Sequence, residues 1–183
     1  MKRTTDQKKR DSAVVSRGAK SKSSRDPETL RGGLDGSKMK IAIVTARFNR
    51  DITSKLEEGA LRTLQSLGVK QIRVVSVPGA VEITTAARAL LKSGSDAVIA
   101  LGCVIRGETT HYESVVGAVD LGCTHLQLET GKPVVFGVLT TENLEQAIDR
   151  IGGHHGHKGE EAAEVAVEMV SLLRLISSKT SRK

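Results

Sequence analysis

The sequence predicts an α/β fold in three layers, a four-stranded parallel sheet with helices on both faces. Three observations lead there. Four short, β-branched runs alternate with stretches of helical spacing, and such alternation implies right-handed crossovers between parallel strands. One run, Ala97 to Ile105, is apolar along its whole length, as suits a strand buried on both faces. Hydrophobic residues make up 38% of the 183 and 18 glycines join them, roughly the apolar share of a globular domain. That length fits one domain, or one domain with an appendage.

The elements follow in order. Met39 to Thr45 reads as the first strand. Thr53 to Leu67 carries apolar or small residues at Leu56, Gly59, Ala60, Leu61, Leu64 and Leu67, a helical period, and Gly68 stops it. Ile72 to Val77 is the second strand and Ala80 to Leu91 the second helix, ending near Gly94. Ala97 to Ile105 is the third strand, followed by a helix from Val115 to Leu128 that ends before Gly131. Pro133 to Leu139 is the fourth strand. Helices over Asn143 to Ile151 and Glu160 to Leu175 close the chain, with a Gly/His loop between them.

Charge is unevenly placed. Residues 1–38 hold 11 Lys/Arg against 5 Asp/Glu, residues 39–176 hold 14 against 16, and residues 177–183 hold three Lys/Arg and no acid. The formal +7 therefore belongs to the ends. A Lys/Arg/Ser-rich segment poor in large apolar residues cannot offset its ordering entropy by burial. Residues 1–27 are accordingly read as a disordered basic tail, 28–176 as the folded domain and 177–183 as a basic C-terminal tail. The N-terminal tail reads as a solvated leader; its alternative is binding to nucleic acid or an acidic surface. Glu28 to Ser37 is expected to add an edge strand to a neighbour's sheet.

Several function classes lose support. No apolar run approaches the ~18 residues of a membrane span, and the basic start is followed by no apolar stretch, so no secretory signal is expected. Two cysteines, Cys103 and Cys123, make no disulfide framework and suit a reducing cytoplasm; both read as structural. The three aromatics, Phe48, Tyr112 and Phe136, are too few for base-stacking platforms. There is no G-x-G-x-x-G after the first strand and no Walker A, which weighs against dinucleotides and nucleoside triphosphates. His154, His155 and His157 invite a metal, but they lie among glycines without an H-E-x-x-H helix or paired cysteines, so no metal site is assigned.

In parallel sheets, ligands sit beyond the carboxyl ends of the strands where strand order reverses. The loop after the first strand places Phe48 beside Asn49. Phe48 reads either as cover for the helix–sheet seam or as a flat face for a planar ligand. The loop Pro78 to Glu82 is a tight turn, with Glu82 either serving the helix dipole or accepting from ligand hydroxyls. The third loop, Arg106-Gly107-Glu108-Thr109-Thr110-His111-Tyr112, supplies free amides and hydroxyls before a helix, the makings of an anion site. His111 can move protons there. The alternative is a capping box of Thr109 or Thr110 with Glu113.

Taken together, these stretches resemble a known family. They are Ala46-Arg-Phe-Asn49, Val77-Pro-Gly-Ala-Val-Glu82, Gly102-Cys-Val-Ile-Arg-Gly-Glu-Thr-Thr-His111, Phe136-Gly-Val-Leu-Thr-Thr-Glu-Asn143, Glu145-Gln-Ala-Ile-Asp-Arg150 and Lys158-Gly159. In order and spacing, from about residue 39 to 175, they are similar to 6,7-dimethyl-8-ribityllumazine synthases of riboflavin biosynthesis. The resemblance implies a flavodoxin-like fold and a cofactor-free transferase. It would condense 5-amino-6-(D-ribitylamino)uracil with 3,4-dihydroxy-2-butanone 4-phosphate, releasing water and phosphate.

By the same resemblance, Phe48 stacks on the pyrimidine. Ala80, Val81 and Glu82 hold the ribityl chain with Asn49 nearby, and Cys103, Val104 and Ile105 line the pyrimidine mostly through backbone. Gly107, Glu108 and Thr109 cradle the phosphate with Arg150 as cationic partner, and His111 is the general acid/base. Phe136 and Arg150 reach the site from a neighbouring subunit, and Lys158 lies near the uracil. The implied assembly is a homo-oligomer, a pentamer, with the short Arg150–Lys158 loop pointing to a sixty-subunit icosahedral shell; riboflavin synthase is the implied protein partner.

The chain departs from the family pattern at three places. Val81 stands where many members carry an aromatic, Thr84 replaces a common Pro and is expected to loosen the helix start, and His154 and His157 replace Lys and Asn. The competing readings are a catalytically weak shell-forming or flavin-binding relative, a flavodoxin-like phosphosugar enzyme using the same anion loop, and a basic-tail nucleic-acid binder.

Overall fold

The computed structural model describes residues 27–180. The basic tail read over residues 1–27 lies outside them save for its last residue, and so do the last three residues of the C-terminal tail. Four strands form one parallel sheet: β1 (Lys40–Ala46), β2 (Gln71–Val77), β3 (Ala97–Ile105) and β4 (Val134–Thr141), in the order β2-β1-β3-β4. The chain steps outward from β1 to β2 and then crosses back to β3. The reversal of strand order therefore falls between β1 and β3.

Alternate residues of each strand feed different cores. Ile41 and Ile43 of β1, with Ile99 and Leu101 of β3, pack against α1 (Arg50–Ser66) and α5 (Lys158–Thr180). Ala42 and Val44, with Val98 and Ala100, pack against α2 (Ile83–Lys92) and α3 (His111–Thr130). The period of two makes β1 and β3 apolar on both faces. Edge strand β2 is exposed over most of its length.

Several boundaries differ from the sequence expectation, for local reasons. Asn49 takes the left-handed conformation, φ 56°, which Asn tolerates better than most residues; α1 then begins three residues before Thr53. The Pro78–Glu82 turn delays α2 to Ile83. By contrast α3 starts at His111, four residues early, directly against the anion loop. The helix expected to Ile151 is the short α4 (Leu144–Asp149), and the Gly/His segment is not a loop but a hairpin of β5 (Ile151–Gly153) and β6 (Gly156–His157). Finally α5 runs to Thr180, past the boundary drawn at 176.

Residues 27–36 form no strand within the chain. They lie along α5: Gly33 N donates to Ser171 Oγ at 2.9 Å, and Arg31 pairs with Glu168 at 3.3 Å. Gly36 N then donates to the Leu67 carbonyl at 2.8 Å, handing the chain to the end of α1.

Candidate active site

A pocket of about 530 Å³ opens at the carboxyl ends of β1, β2 and β3, where strand order reverses. Three loops line it. From the first, Phe48 stands 70% exposed. It does not cover the helix–sheet seam; its ring is a free flat wall. Asn49 does not line the pocket but braces it, donating from Nδ2 to the Cys103 carbonyl at 2.9 Å. Its left-handed backbone turns the chain into α1 and lets the side chain reach across to β3.

From the second loop come Gly79, Ala80, Val81 and Glu82. Glu82 folds back to accept the Gly79 N–H at 2.9 Å on Oε2. That bond closes the Pro-Gly turn and leaves Oε1 as an acceptor. At the start of α2 the Thr84 hydroxyl donates to the Val81 carbonyl at 3.0 Å. Its side chain also fills the space a Cβ on Gly122 of α3 would need, with Thr84 Cβ only 3.1 Å away.

The third loop supplies Gly107, Thr109, His111 and Tyr112; Glu108 is not among the lining residues. The capping box does not form. Thr110 makes no side-chain cap to α3, and Glu113 instead pairs with Arg106. Arg106 also pairs with Glu142 at 2.6 Å and lies 4.1 Å over the Tyr112 ring. Its guanidinium holds the Glu113 carboxyl below the usual carboxylate range. Both carboxylates occupy Arg106, so it serves as a clamp on the loop rather than as an anion ligand. This clamp is not legible in the sequence, because Glu142 follows a different strand and spacing alone cannot pair it with Arg106.

Cys103, Val104 and Ile105 complete the floor. The Cys103 side chain belongs to the core under α1 and α5. Burial pushes its thiol up to about 11, so it stays protonated and is no nucleophile at neutral pH.

Phe136, Arg150 and Lys158 are not brought to this pocket. They line a second one, about 380 Å³, along edge strand β4 and the start of α5. Phe136 is 39% exposed there. Arg150 donates from Nη1 to the Gln146 carbonyl at 2.8 Å, and Lys158 Nζ meets the Glu161 carboxylate at 2.7 and 2.9 Å. One pocket thus holds a flat wall, a carboxylate, open backbone and an imidazole. The other holds two cations and a second ring.

His154 and His155 meet edge to face at 5.6 Å, and His155 pairs with Asp149. Among the described residues no group of three or more His, Cys, Asp or Glu could hold a metal ion, and no helix is long and apolar enough to cross a membrane.

Comparison with known proteins adds to this geometry. The family model for 6,7-dimethyl-8-ribityllumazine synthase matches residues 38–174. A protein of that name from Bdellovibrio bacteriovorus is 55% identical over 139 residues, covering 76% of this chain and 78% of the relative. Another from Pediococcus pentosaceus is 47% identical over 148 residues, covering 79% and 95%.

Proposed function

The chain belongs to the 6,7-dimethyl-8-ribityllumazine synthase family, and from that premise we propose how its two pockets divide the work. The enzyme is a transferase that condenses 5-amino-6-(D-ribitylamino)uracil with 3,4-dihydroxy-2-butanone 4-phosphate, releasing water and phosphate. In our reading the pyrimidine stacks on Phe48 over the Cys103–Ile105 backbone. The ribityl hydroxyls meet the Ala80–Glu82 backbone and Glu82 Oε1, while Asn49 acts through Cys103 as a brace.

The phosphate rests on the amides of Gly107 to Thr109 and the Thr109 hydroxyl, at the start of α3 where backbone N–H groups favour an anion. Arg150 completes its charge with a planar fork of donors. The substrate amine attacks the ketone and water leaves as the imine forms. Phosphate is then eliminated, and ring closure expels a second water. His111 lines the same pocket as the phosphate loop and exchanges the proton at each step. Holding both substrates together makes the encounter effectively intramolecular.

The observation that carries this reading is the separation of the two pockets. On this reading neither is complete, and what one lacks the other displays along the β4 edge. A heterologous contact between copies would join them into a ring. We therefore read the working form as a homo-oligomer with shared sites, a pentamer, with a sixty-subunit shell as its larger form. Riboflavin synthase as a protein partner and a cytoplasmic location belong to the same proposal.

The test is formation of the lumazine, followed by absorbance and fluorescence, in wild type, Arg150→Ala and His111→Ala. Arg150→Ala is expected to raise KM for the butanone phosphate sharply. His111→Ala is expected to lower kcat by about 10²-fold or more if proton transfer limits the rate, and only slightly if positioning dominates. An unchanged KM in Arg150→Ala refutes the shared phosphate site.

A further inference from the structure

We propose that His157 is a positioning residue for Arg150 and Lys158, acting through a notch that Gly59 opens in α1. The proposal rests on the reading of Arg150 and Lys158 given above. A Cβ added to Gly59 would lie 2.6 Å from His157 Nδ1 and 2.8 Å from Nε2, and closer still to Cε1. The imidazole thus occupies the place of a missing side chain in the middle of a helix. Glycine weakens a helix interior, and the ring seated on Gly59 is the packing reason for tolerating it.

The same ring caps the next helix. Glu160 N–H, in the first turn of α5, points to Nδ1 at 3.4 Å, a long version of the bond an N-cap side chain accepts. This requires the ring proton on Nε2. Two residues further on, Gly159 lies against the α1 backbone, where a Cβ would come within 2.8 Å of the Leu56 carbonyl carbon. The start of α5 is therefore seated on α1 at two successive points.

That seat is coupled to the two cations by backbone. His157 pairs with Ile151 across the hairpin, and Lys158 N donates to the Arg150 carbonyl at 2.9 Å. At the hairpin's tip Asp149 accepts the His154 N–H at 2.6 Å and pairs with His155. Asp149 fixes the hairpin to α4, and His157 fixes it to α1. With the hairpin held at both ends, Arg150 and Lys158 keep a set separation along the β4 edge.

The experiment measures KM for the butanone phosphate at saturating ribitylaminouracil, together with kcat and thermal melting of the assembled enzyme. The variants are His157→Ala, His157→Asn, Gly59→Ala, the double change Gly59→Ala with His157→Asn, and Arg150→Ala. His157→Ala and Gly59→Ala are expected to raise KM several-fold with a smaller change in kcat. Asn supplies a short acceptor for the Glu160 N–H, so His157→Asn is expected to stay near wild type. Combined with Gly59→Ala it should restore KM, because the smaller side chain leaves room for the new methyl.

Unchanged KM in His157→Ala and Gly59→Ala, beside a raised KM in Arg150→Ala, overturns this proposal alone. Lowered melting with KM intact also overturns it, since the ring would then only stabilise. Unchanged KM in Arg150→Ala removes the underlying phosphate-site reading and this proposal with it.

Discussion

At the scale of single residues, the pocket is assembled from side chains whose partners define their roles. Phe48 has no structural duty that its 70% exposure would serve. Phe48→Leu should therefore raise KM for the ribitylaminouracil and leave melting nearly unchanged, checked by steady-state kinetics and calorimetry. Cys103 and Cys123 present the reverse case. Burial pushes both thiols up to about 11, aided at Cys123 by the Asp120 charge. Each is a protonated core residue at neutral pH, so iodoacetamide should modify the native enzyme slowly and spare its activity. Fast alkylation with loss of turnover would contradict that placement. Asn49 ties the first loop to β3, its Nδ2 donating to the Cys103 carbonyl.

Among elements, the junction of α1 with α5 decides where the second pocket's cations stand. Gly159 on α5 nearly touches the Leu56 backbone. Alanine there gains about 1 kcal/mol of helix propensity but must push two helices apart, and overpacking costs about 1–3 kcal/mol. The clash is with backbone, which cannot swing aside, so overpacking wins. Gly159→Ala should lower stability in urea titrations. The hairpin end carries a pH dependence as well. Asp149 lies below its ordinary 3.8, chiefly through the bond to His155. A carboxyl depressed in the folded state stabilises fully above its unfolded value, and that contribution is lost as pH falls through the folded one. Asp149→Asn should therefore flatten the acid limb of the melting temperature below about pH 4.

For the whole molecule, two pockets that hold different parts of the proposed site predict that sites are shared between copies. Arg150→Ala and His111→Ala damage different halves. If variant chains are refolded together, roughly a quarter of heterologous interfaces should join two intact halves. Lumazine formation should then exceed that of either variant refolded alone. No gain from well-assembled mixed particles would show that each chain completes its own site. Light scattering on the same samples separates a pentamer from a shell.

The sequence by itself determined the layered α/β architecture, because strand and helix periods are written locally by burial on one face or two. It also determined which loops line the first pocket, since Phe48, Glu82, Thr109 and His111 all follow strand ends. The tertiary structure alone decided the partnerships. Glu113 could have capped α3 or paired with Arg106, and only the arrival of Glu142 from β4 gathers both carboxylates around one guanidinium. The Gly/His segment lacks a periodic pattern, yet it forms a hairpin because Asp149 and Gly59 hold its two ends. The resemblance brings Arg150 to the site of His111 from a neighbouring subunit and puts Lys158 near the uracil. The fold sets them along edge strand β4, with β3 between them and the loop after β1, a separation that depends on strand order and not on spacing along the chain.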